Sequence, residues 1–409
     1  MDLLNVDTLE SARKKILERF GGKPLATRCI PMEQALGQTL AEDLVSKESV
    51  PSFRRSTVDG FAVKAKDTYG AAENMPVFLD ILEDVPMGVP AVATISNGCC
   101  AYVPTGGMIP EGADAMVMLE YTEMLDSQSI AVYSPVSIGN NVVDIGEDMP
   151  ESTLFLKAGT VIGAGEIGAM AAAGVTDVHV YVPYRISIIS TGDELVEIHR
   201  KPHDGQVRDI NTHVLKALSE KYGYEINEVS VLKDDEDLIR GKLRENMQSS
   251  HIVVISGGSS KGRKDMTARL INEVASPGVF VQGLALKPGK PTILGDDKES
   301  AALFVGLPGH PVAAMAVFEL LIGWLQRKRM HHPEPFTLPA RMETNFASAP
   351  GKTTYLLVKL LQADNGLIAR PILGKSGLIT TMTQADGYTL VDLNKEGLNA
   401  GDEIQVHLL

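Results

Sequence analysis

The stretch Arg185-Ile-Ser-Ile-Ile-Ser-Thr-Gly-Asp-Glu194 is a short apolar run that ends in a glycine turn carrying two acids. Two later stretches have the same design. His251-Ile-Val-Val-Ile255 leads into Ser256-Gly-Gly-Ser-Ser-Lys-Gly-Arg-Lys-Asp265, and Ala301-Ala-Leu-Phe-Val305 leads into Gly306-Leu-Pro-Gly-His-Pro311. Apolar runs this short, with helical patterns between them, are typical of buried parallel strands. Ligands bind outside the carboxyl ends of such strands, so the sequence predicts one site built from several turns.

Composition argues against several classes of protein. The 409 residues carry a net charge of -14, which argues against nucleic acid as a partner and leaves room for a small polyanion wherever basic residues gather. Three cysteines, Cys29, Cys99 and Cys100, give neither a disulfide framework nor a zinc spacing. The chain has no apolar segment long enough to span a membrane and no signal-peptide pattern at its start. These features predict a cytoplasmic protein with no membrane partner.

Three other regions have distinct patterns. The start of the chain predicts a helix with Asp7 as its N-cap, Glu10 as capping-box partner, and apolar residues at helical spacing, namely Leu9, Ala12, Ile16 and Phe20. A second, short helix is expected at 32–37. Residues 52–147 are rich in Val, Ile, Pro and Gly and predict a β-rich module. Short strands from residue 336 onward, with a turn at Asp364-Asn-Gly366, predict a small C-terminal β-domain.

Gly163-Ala-Gly-Glu-Ile-Gly168 matches the dinucleotide fingerprint GxGxxG. That fingerprint needs a strand before it, a long helix after it and an acid about twenty residues further on. The helical pattern here ends at Gly174, and no acid stands near position 184. We therefore favour the start of an ordinary helix over an NAD site, and a titration with NAD would separate the two.

The segment from Gly257 to Asp265 resembles a phosphate-binding loop without being a Walker motif, because Arg263-Lys264 stands where Gly-Lys-Ser/Thr is required. Its glycines allow backbone N–H groups to approach a phosphate closely. A helix expected to begin near Met266 would add its positive end, with Asp265 at the start of that helix. The alternative for Asp265 is a plain N-cap.

Two further turns combine charge with a stiff backbone. Lys287-Pro-Gly-Lys290-Pro291 holds two ammonium groups near each other, which suits an oxyanion or a phosphate, although a solvated turn is the alternative. Asp193 and Glu194 could hold a divalent cation or ligand hydroxyls, or cap a helix, and Asp234-Asp235 has the same ambiguity. His310 is interpreted as a structural or substrate-edge residue, because no second histidine is spaced to join it on a metal.

The order of the motifs is more specific than any one of them. It includes Pro51-Ser-Phe-Arg-Arg-Ser-Thr-Val-Asp-Gly-Phe-Ala-Val63, Gly205-Gln-Val-Arg-Asp-Ile-Asn211 and Lys375-Ser-Gly377, together with residues 105–114, 146–148, 190–194, 256–258, 287–291, 306–311 and 385–387. In this order, almost end to end, the chain resembles the molybdopterin molybdotransferases, the molybdenum insertases of the MoeA type that include the E domain of gephyrin.

The resemblance implies a multi-domain α/β plus β architecture in four parts. They are a helical domain I at 1–50 and 148–180, an inserted β-rich domain II at 51–147, an α/β molybdopterin-binding domain III at 181–328, and a C-terminal β-barrel-like domain IV at 336–409. It also implies an elongated homodimer with sites shared between subunits.

The implied reaction takes adenylylated molybdopterin and molybdate, releases AMP and leaves molybdenum on the dithiolene, with Mg²⁺ as the expected cofactor. Molybdopterin adenylyltransferase and the molybdoenzymes that receive the product are candidate partners. Whether molybdate or tungstate is the anion stays open.

The resemblance also assigns roles to residues. Asp265 and Glu194 would bind the metal or the nucleotide, and Lys287 and Lys290 would hold molybdate. Asp59 and Asp148 would complete the catalytic set from the half of the chain that faces the partner. The expected cofactor-binding residues are Thr191, Gly192, Asp234, Gly257, Gly258, Ser259, Pro308, His310 and Ser376, of which Gly257, Gly258 and Ser259 would cradle the phosphate.

Two positions depart from the family pattern. Leu357 stands where many relatives carry an arginine that helps to receive molybdate, and Ala313 stands where a serine is usual. Both changes fall on the oxyanion side of the implied site. They keep a second hypothesis open, in which the protein binds or carries molybdopterin adenylate on the same fold without turnover.

Overall fold

In a computed structural model of the chain, residues 6–22, 25–257 and 261–409 are described, and for 261–265 the description covers the backbone only. The chain divides into two compact units. One is Arg28–Val180, and the other combines Met1–Thr27 with Tyr181–Leu409. The first 27 residues thus group with the second half of the chain, and the boundaries of the four implied domains stay a prediction.

The unit Arg28–Val180 contains the β-rich module that the sequence predicted. Its main sheet has six strands, in the spatial order Ala115–Met118, Gly60–Val63, Cys99–Val103, Val77–Asp84, Ser129–Val132, Thr122–Met124. Successive side chains of one strand point to opposite faces of the sheet. Phe61 and Val63 pack in one apolar cluster, and Ala62 packs in another. This alternation buries both faces of the sheet, which confirms the expected inserted β-domain.

The rest of this unit is a mixture of short elements around a small core of Ala35, Leu40, Ile162, Met170, Val178 and Val180. Its α-helix, Ala164–Ala172, begins at Gly163, whose N–H donates to Glu166 Oε2 at 2.9 Å. The helix has 9 residues, which is short for a dinucleotide site. The helix expected at 32–37 is only the 3-10 turn Met32–Gln34. Other short elements are Ala65–Thr68, Leu119–Tyr121, Leu44–Val45, Arg55–Ser56, Val142–Val143 and Leu154–Leu156, while Thr27–Pro31 and Asp177–Tyr181 cross the boundary between units.

The second unit is built on a sheet of six strands. Four are parallel, in the order Glu225–Leu232, Arg185–Thr191, Ile252–Ser256, Leu303–Leu307. Ile293–Asp297 and Pro277–Gln282 continue the sheet in antiparallel orientation. The three apolar runs that opened the sequence analysis are therefore adjacent parallel strands, as predicted.

Helices cover both faces of this sheet, which explains why its central strands Ile252–Ser256 and Leu303–Leu307 are almost continuously apolar. Ile186 and Ile188 point into the core shared with Asn211–Lys221 and Pro311–Val317. Ile189 points into the opposite core, with Glu236–Ser249 and Lys261–Val274. The chain continues from Pro311–Val317 through a π-helical segment, Phe318–Gly323, into Trp324–Arg329.

The N-terminal helix Leu9–Phe20 packs on the first of these cores through Leu9, Ala12, Ile16 and Phe20, the residues that the spacing selected. Its N-cap is Thr8 and not Asp7, because the Thr8 side chain accepts from Ser11 N at 3.1 Å. Asp7 instead accepts from Ser11 Oγ and from Lys15 Nζ, each at 2.7 Å. The predicted helix is therefore correct, while its cap lies one residue further on.

The C-terminal part is a closed, barrel-like sheet. Its long strand Thr353–Ala363 pairs with Gly366–Pro371 across the predicted turn and with Gly387–Val391 on its other side. Thr337–Met342 and Glu403–Leu408 complete the closure, and Leu286–Lys287 joins at the edge. The remaining short elements of this unit are Leu195–Val196, Val207–Arg208, Phe346–Ala347, Gly397–Leu398 and Thr380–Gln384. Among the described residues, no helix combines the length and the apolar character needed to cross a bilayer.

Candidate functional site

The carboxyl ends of the three central strands meet at one level. Ser190 is in register with Ser256, and Ser256 with Leu307. The turns that follow these strands line a cavity of about 590 Å³, here called the strand-end pocket. Its lining residues are Ser190, Thr191, Glu194, Leu195, Val207, Arg208, Asp209, Ile210, Asn211, Ser256, Gly257, Gly309, His310, Pro311 and Gly377. Thr191, Glu194, Gly257 and His310 are residues that the sequence singled out.

Gly257 is required by the backbone geometry at this edge. Its φ is +142°, in the range that favours glycine, and a Cβ there would lie 2.4 Å from both the carbonyl oxygen and Oγ1 of Thr191. Two strand ends can therefore approach each other only without a side chain at 257. Gly258 and Ser259, the next residues of the predicted phosphate cradle, lie outside the described residues.

The helix after this glycine-rich segment is Lys261–Val274, so it begins five residues earlier than expected. Asp265 consequently lies within the helix and does not cap it, which corrects both the predicted start near Met266 and the N-cap alternative. The side chain of Asp265 lies outside the described part of the structure. Its predicted metal or nucleotide role stays a prediction.

The acidic residues near the strand ends differ in position and in hydrogen bonding. Glu194 lines the strand-end pocket. Asp193 Oδ1 accepts from Asp234 N at 3.3 Å, and Asp234 lies outside the pocket lining. Neither Asp193 nor Glu194 caps a helix, because the chain continues into strand Leu195–Val196. Asp235 does cap one, accepting from Asp237 N and Leu238 N at 2.9 and 3.0 Å.

Residues 208–211 line the strand-end pocket, although no role was predicted for them from the sequence. Asp209 is 5% exposed and accepts from Thr212 N at 3.1 Å, which orders the start of helix Asn211–Lys221. Asn211 Nδ2 donates to Ser256 Oγ and to the carbonyl oxygen of Gly309, each at 2.8 Å. Asn211 Oδ1 is shielded from solvent and has no hydrogen-bond partner within the described residues. The only signal in the sequence was that this segment belongs to the ordered series of motifs.

A second cavity of about 540 Å³, here called the lysine pocket, adjoins the first at His310. Its lining residues are Lys287, Pro288, His310, Val312, Phe346, Ala347, Thr354, Tyr355, Leu356, Leu357, Ile372, Leu373, Gly374, Lys375, Ser376 and Thr381. Ser376 Oγ lies 3.0 Å from His310 Nδ1, so these two predicted binding residues are in contact.

Of the two predicted lysines, only Lys287 lines this pocket. Lys290 is exposed and lines neither cavity, and its carbonyl oxygen accepts from Leu284 N at 3.0 Å. Leu357 forms part of the apolar floor, 5% exposed. Ala313 is buried in helix Pro311–Val317 and lines neither cavity.

The other predicted residues lie beside these pockets or in the other unit. Gly192 N donates to the carbonyl oxygen of Leu232 at 3.1 Å, and Pro308 is buried directly after strand Leu303–Leu307. Asp59 and Asp148 are exposed residues of the unit Arg28–Val180. Asp59 Oδ1 accepts from Thr105 N at 2.8 Å. Their participation in the site stays a prediction.

Comparison with known proteins adds to this geometry. Three family models cover most of the chain: MoeA N-terminal region (domain I and II) matches residues 7–174, "Probable molybdopterin binding domain" matches 187–328, and MoeA C-terminal region (domain IV) matches 339–409. A crystal structure of a molybdopterin biosynthesis MoeA protein from Pyrococcus horikosii is 32% identical, with a TM-score of 0.81 over 99% of both chains. The chain belongs to the MoeA family.

Curated MoeA relatives extend over the same length. A molybdopterin molybdenumtransferase from Haemophilus influenzae is 29% identical over 98% of this chain and 99% of its own. One from Staphylococcus aureus (strain Mu50) is 28% identical over 98% of this chain and 95% of its own. All lining residues of the strand-end pocket except Gly377 lie in the segment that matches the molybdopterin-binding model. The lysine pocket also takes residues from the segment that matches MoeA domain IV, including Leu357, Lys375 and Ser376.

Proposed function

We propose that this MoeA protein is a molybdopterin molybdotransferase, which inserts molybdate into adenylylated molybdopterin and releases AMP in molybdenum cofactor biosynthesis. The observation that carries the proposal is the contact between two cavities at His310. One cavity lies at the carboxyl ends of parallel strands, and the other holds lysine side chains. A nucleotide-bearing substrate and an inorganic anion can thus be held side by side, which is what a transfer between them requires.

The strand-end pocket is the proposed site of the adenylylated substrate. Its volume lies within the roughly 300–1,000 Å³ typical of small-molecule sites. Gly257, Gly258 and Ser259 would cradle the phosphate, directly before helix Lys261–Val274. The positive end of a helix of this length favours an anion at that place. Thr191 and Asn211 would contribute polar groups next to this segment, because Thr191 lies against Gly257 and Asn211 donates to Ser256.

No cluster of three potential metal ligands occurs among the described residues, so the proposed Mg²⁺ depends on few carboxylates and on the substrate phosphate. Glu194 and the buried Asp209 both line the strand-end pocket, and Asp265 is the further predicted ligand. Mg²⁺ in proteins is held by one or two carboxylates together with substrate phosphate oxygens. When bound, it would polarise the phosphoanhydride that is cleaved. The residues of the chain would hold the adenylate in line and exclude water from it.

The lysine pocket is the proposed molybdate site. Lys287 supplies one ammonium group, Ser376 a hydroxyl and His310 the bridge to the strand-end pocket. Lys290, three residues after Lys287, is proposed to act on the approach to the pocket. Asp59 and Asp148 would complete the site from the second subunit of a homodimer. A cytoplasmic location remains part of the proposal.

The carrier hypothesis is the second candidate, and the buried Leu357 favours it because the floor of the lysine pocket has no cation at this position. The test is AMP release from adenylylated molybdopterin, measured with and without molybdate. Molybdate-dependent release by the wild type supports the transferase. Tight binding of the adenylate without release would establish the carrier.

Two variants refine the same assay. Asp265→Ala is expected to impair metal-dependent cleavage, since it removes a predicted ligand. Lys290→Ala is expected to raise the molybdate requirement more than it weakens nucleotide binding. Unchanged kinetics in both variants would remove these two residues from the site.

A further inference from the structure

We propose that Lys375 is an anion-binding residue of the lysine pocket, where it and Lys287 together hold a tetrahedral dianionic oxyanion. This inference rests on the proposed function and deepens it, because it names a residue that no motif selected for this role. Five observations support it: the origin of the two lysines, their lack of partners, the absence of acids from the described lining, the apolar floor and the polar pair in the same cavity.

The two lysines reach the pocket from separate parts of the fold. Lys287 belongs to the edge strand Leu286–Lys287 and is in register with Thr354, next to the strand that carries Leu357. Lys375 comes from the loop between strand Gly366–Pro371 and helix Thr380–Gln384. Both line the same cavity. A ligand between them would contact two independent backbone segments, which fixes its position better than one flexible side chain does.

Neither ammonium group has an ion-pair or hydrogen-bond partner among the described residues. Many exposed lysines of the chain are also unpaired, but these two line one cavity together. Lys242, for comparison, lies 2.8 Å from Glu228 and 2.7 Å from Glu245. In the described lining of the lysine pocket there is no Asp or Glu. Two positive charges therefore face one cavity without compensation, and a dianion would balance them.

The floor of the pocket strengthens this attraction. Leu356 and Leu357 are 4% and 5% exposed, and Val312 is 5% exposed. An apolar floor lowers the local dielectric, so an ion pair above it is stronger than one in water. Because Leu357 offers no donor, the charge on the anion has to be met from the rim, where the lysines are.

Ser376 and His310 supply a polar contact in the same cavity as the two lysines. At 3.0 Å, either Ser376 donates to His310 Nδ1 or a protonated Nδ1 donates to Ser376 Oγ. Only the second arrangement leaves the Ser376 hydroxyl free to donate to an oxyanion. Binding of the anion would therefore favour the Nδ1–H form of His310, and Ser376 would add a directional bond to the two point charges of the lysines.

The experiment measures molybdate binding directly by calorimetry, using the full-length protein without the pterin substrate, and in parallel the molybdate dependence of AMP release. Lys375→Met is expected to weaken molybdate binding about tenfold, the effect of losing one charge-assisted contact. In the turnover assay it should raise the molybdate KM while leaving kcat at saturation nearly unchanged. Lys375→Arg is expected to restore most of the binding, since it restores the charge.

Lys359→Met is the matched control, because Lys359 is an exposed lysine of the same unit outside both cavities. It should bind molybdate as the wild type does. Urea unfolding of all variants separates loss of binding from loss of fold.

The binding measurement separates failure of the transferase proposal from failure of the proposed role of Lys375. If the wild type binds molybdate but releases no AMP, the transferase assignment fails while the role of Lys375 is still tested by the Lys375→Met titration. Equal molybdate affinity in wild type and Lys375→Met, or no molybdate binding by the wild type, would overturn the inference.

Discussion

Asn211 Nδ2 donates a hydrogen bond of 2.8 Å to the carbonyl oxygen of Gly309, and so joins the start of one helix to the turn before another. The same nitrogen donates to Ser256 Oγ at 2.8 Å, on the neighbouring strand end. One side chain therefore holds three segments of the strand-end pocket in place. The shape of the pocket therefore depends on this asparagine in addition to Gly257.

Asn211→Ala should destabilise the protein by about 1–3 kcal/mol, because two partners lose their donor in a partly buried place. The free energy of unfolding in urea measures this. Asn394→Ala is the control, since Asn394 is exposed in a turn and its backbone N–H, which remains in alanine, makes the bond to Asp392. If both variants unfold at the wild-type urea concentration, the proposed linking role of Asn211 is wrong.

Gly257→Ala should cost about 1–3 kcal/mol from its backbone conformation alone, with a further penalty from the clash against Thr191. Loss of adenylate binding should accompany the loss of stability. Gly241→Ala is the control, and the opposite sign is expected for its effect on stability. Gly241 lies within helix Glu236–Ser249 with nothing within 4 Å of its added Cβ, so alanine there should stabilise by up to about 1 kcal/mol. Equal effects at the two positions would contradict this explanation.

Arg13→Met should lower the free energy of unfolding by about 1.5–3 kcal/mol. The Arg13 guanidinium donates through Nε and Nη2 to the carbonyl oxygen of Leu320, at 3.0 and 2.8 Å, and stacks over the Trp324 ring at 4.9 Å. These contacts attach the N-terminal helix to the π-helical segment. The neighbouring Lys14 pairs only loosely with Glu18, at 3.9 Å on the surface, so Lys14→Met should be almost neutral. Thermal unfolding of the two variants makes the comparison.

His407 should make the protein less stable in acid. Burial, reinforced by the positive charge of Arg327, lowers the pKa of His407 below its usual value of about 6.5. The folded state therefore prefers the neutral ring. The stability that this preference contributes is fully present above about pH 6.5 and is lost as the pH falls through the lower, folded-state pKa.

His407→Phe tests this linkage, because it keeps a ring stacked against Tyr388 and removes the titration. Between about pH 7.5 and pH 5.5, a range centred on the usual histidine pKa, its unfolding free energy should fall less than that of the wild type. His203→Phe changes an exposed histidine and should follow the wild-type pH dependence. A parallel loss in wild type and His407→Phe would exclude His407 as a source of acid sensitivity.

The sequence predicted those parts of the fold that follow from local pattern. Runs such as His251-Ile-Val-Val-Ile255 identify buried strands by their apolar character, and a parallel sheet then brings their carboxyl ends together. The N-terminal helix was also predicted correctly from the sequence, except that its N-cap is Thr8. The ends of helices and strands were harder to predict, because the helix that begins at Lys261 starts within a charged segment with no apolar periodicity.

The candidate site was only partly predictable, because its missing members have no distinctive local chemistry. Asp209 and Asn211 resemble ordinary residues at the start of a helix, and the partners of Asn211, Ser256 and Gly309, lie far away in the sequence. Lys375 stands in a loop of the C-terminal part, and only the folded chain brings it to the cavity that Lys287 also lines. Conversely, Lys290 was selected by its closeness to Lys287 in sequence, yet it lines neither cavity.

Strand Thr353–Ala363 belongs to two hydrophobic interiors at once. Tyr355 and Leu357 pack into the core of the α/β sheet, whereas Leu356 and Val358 fill the barrel. Adding a single amino acid before Tyr355 would exchange these two sets and ruin both interiors together. The tail is consequently not a detachable module: we expect it to unfold together with the rest of its unit, and recombination could replace it only by replacing the surface beneath it as well.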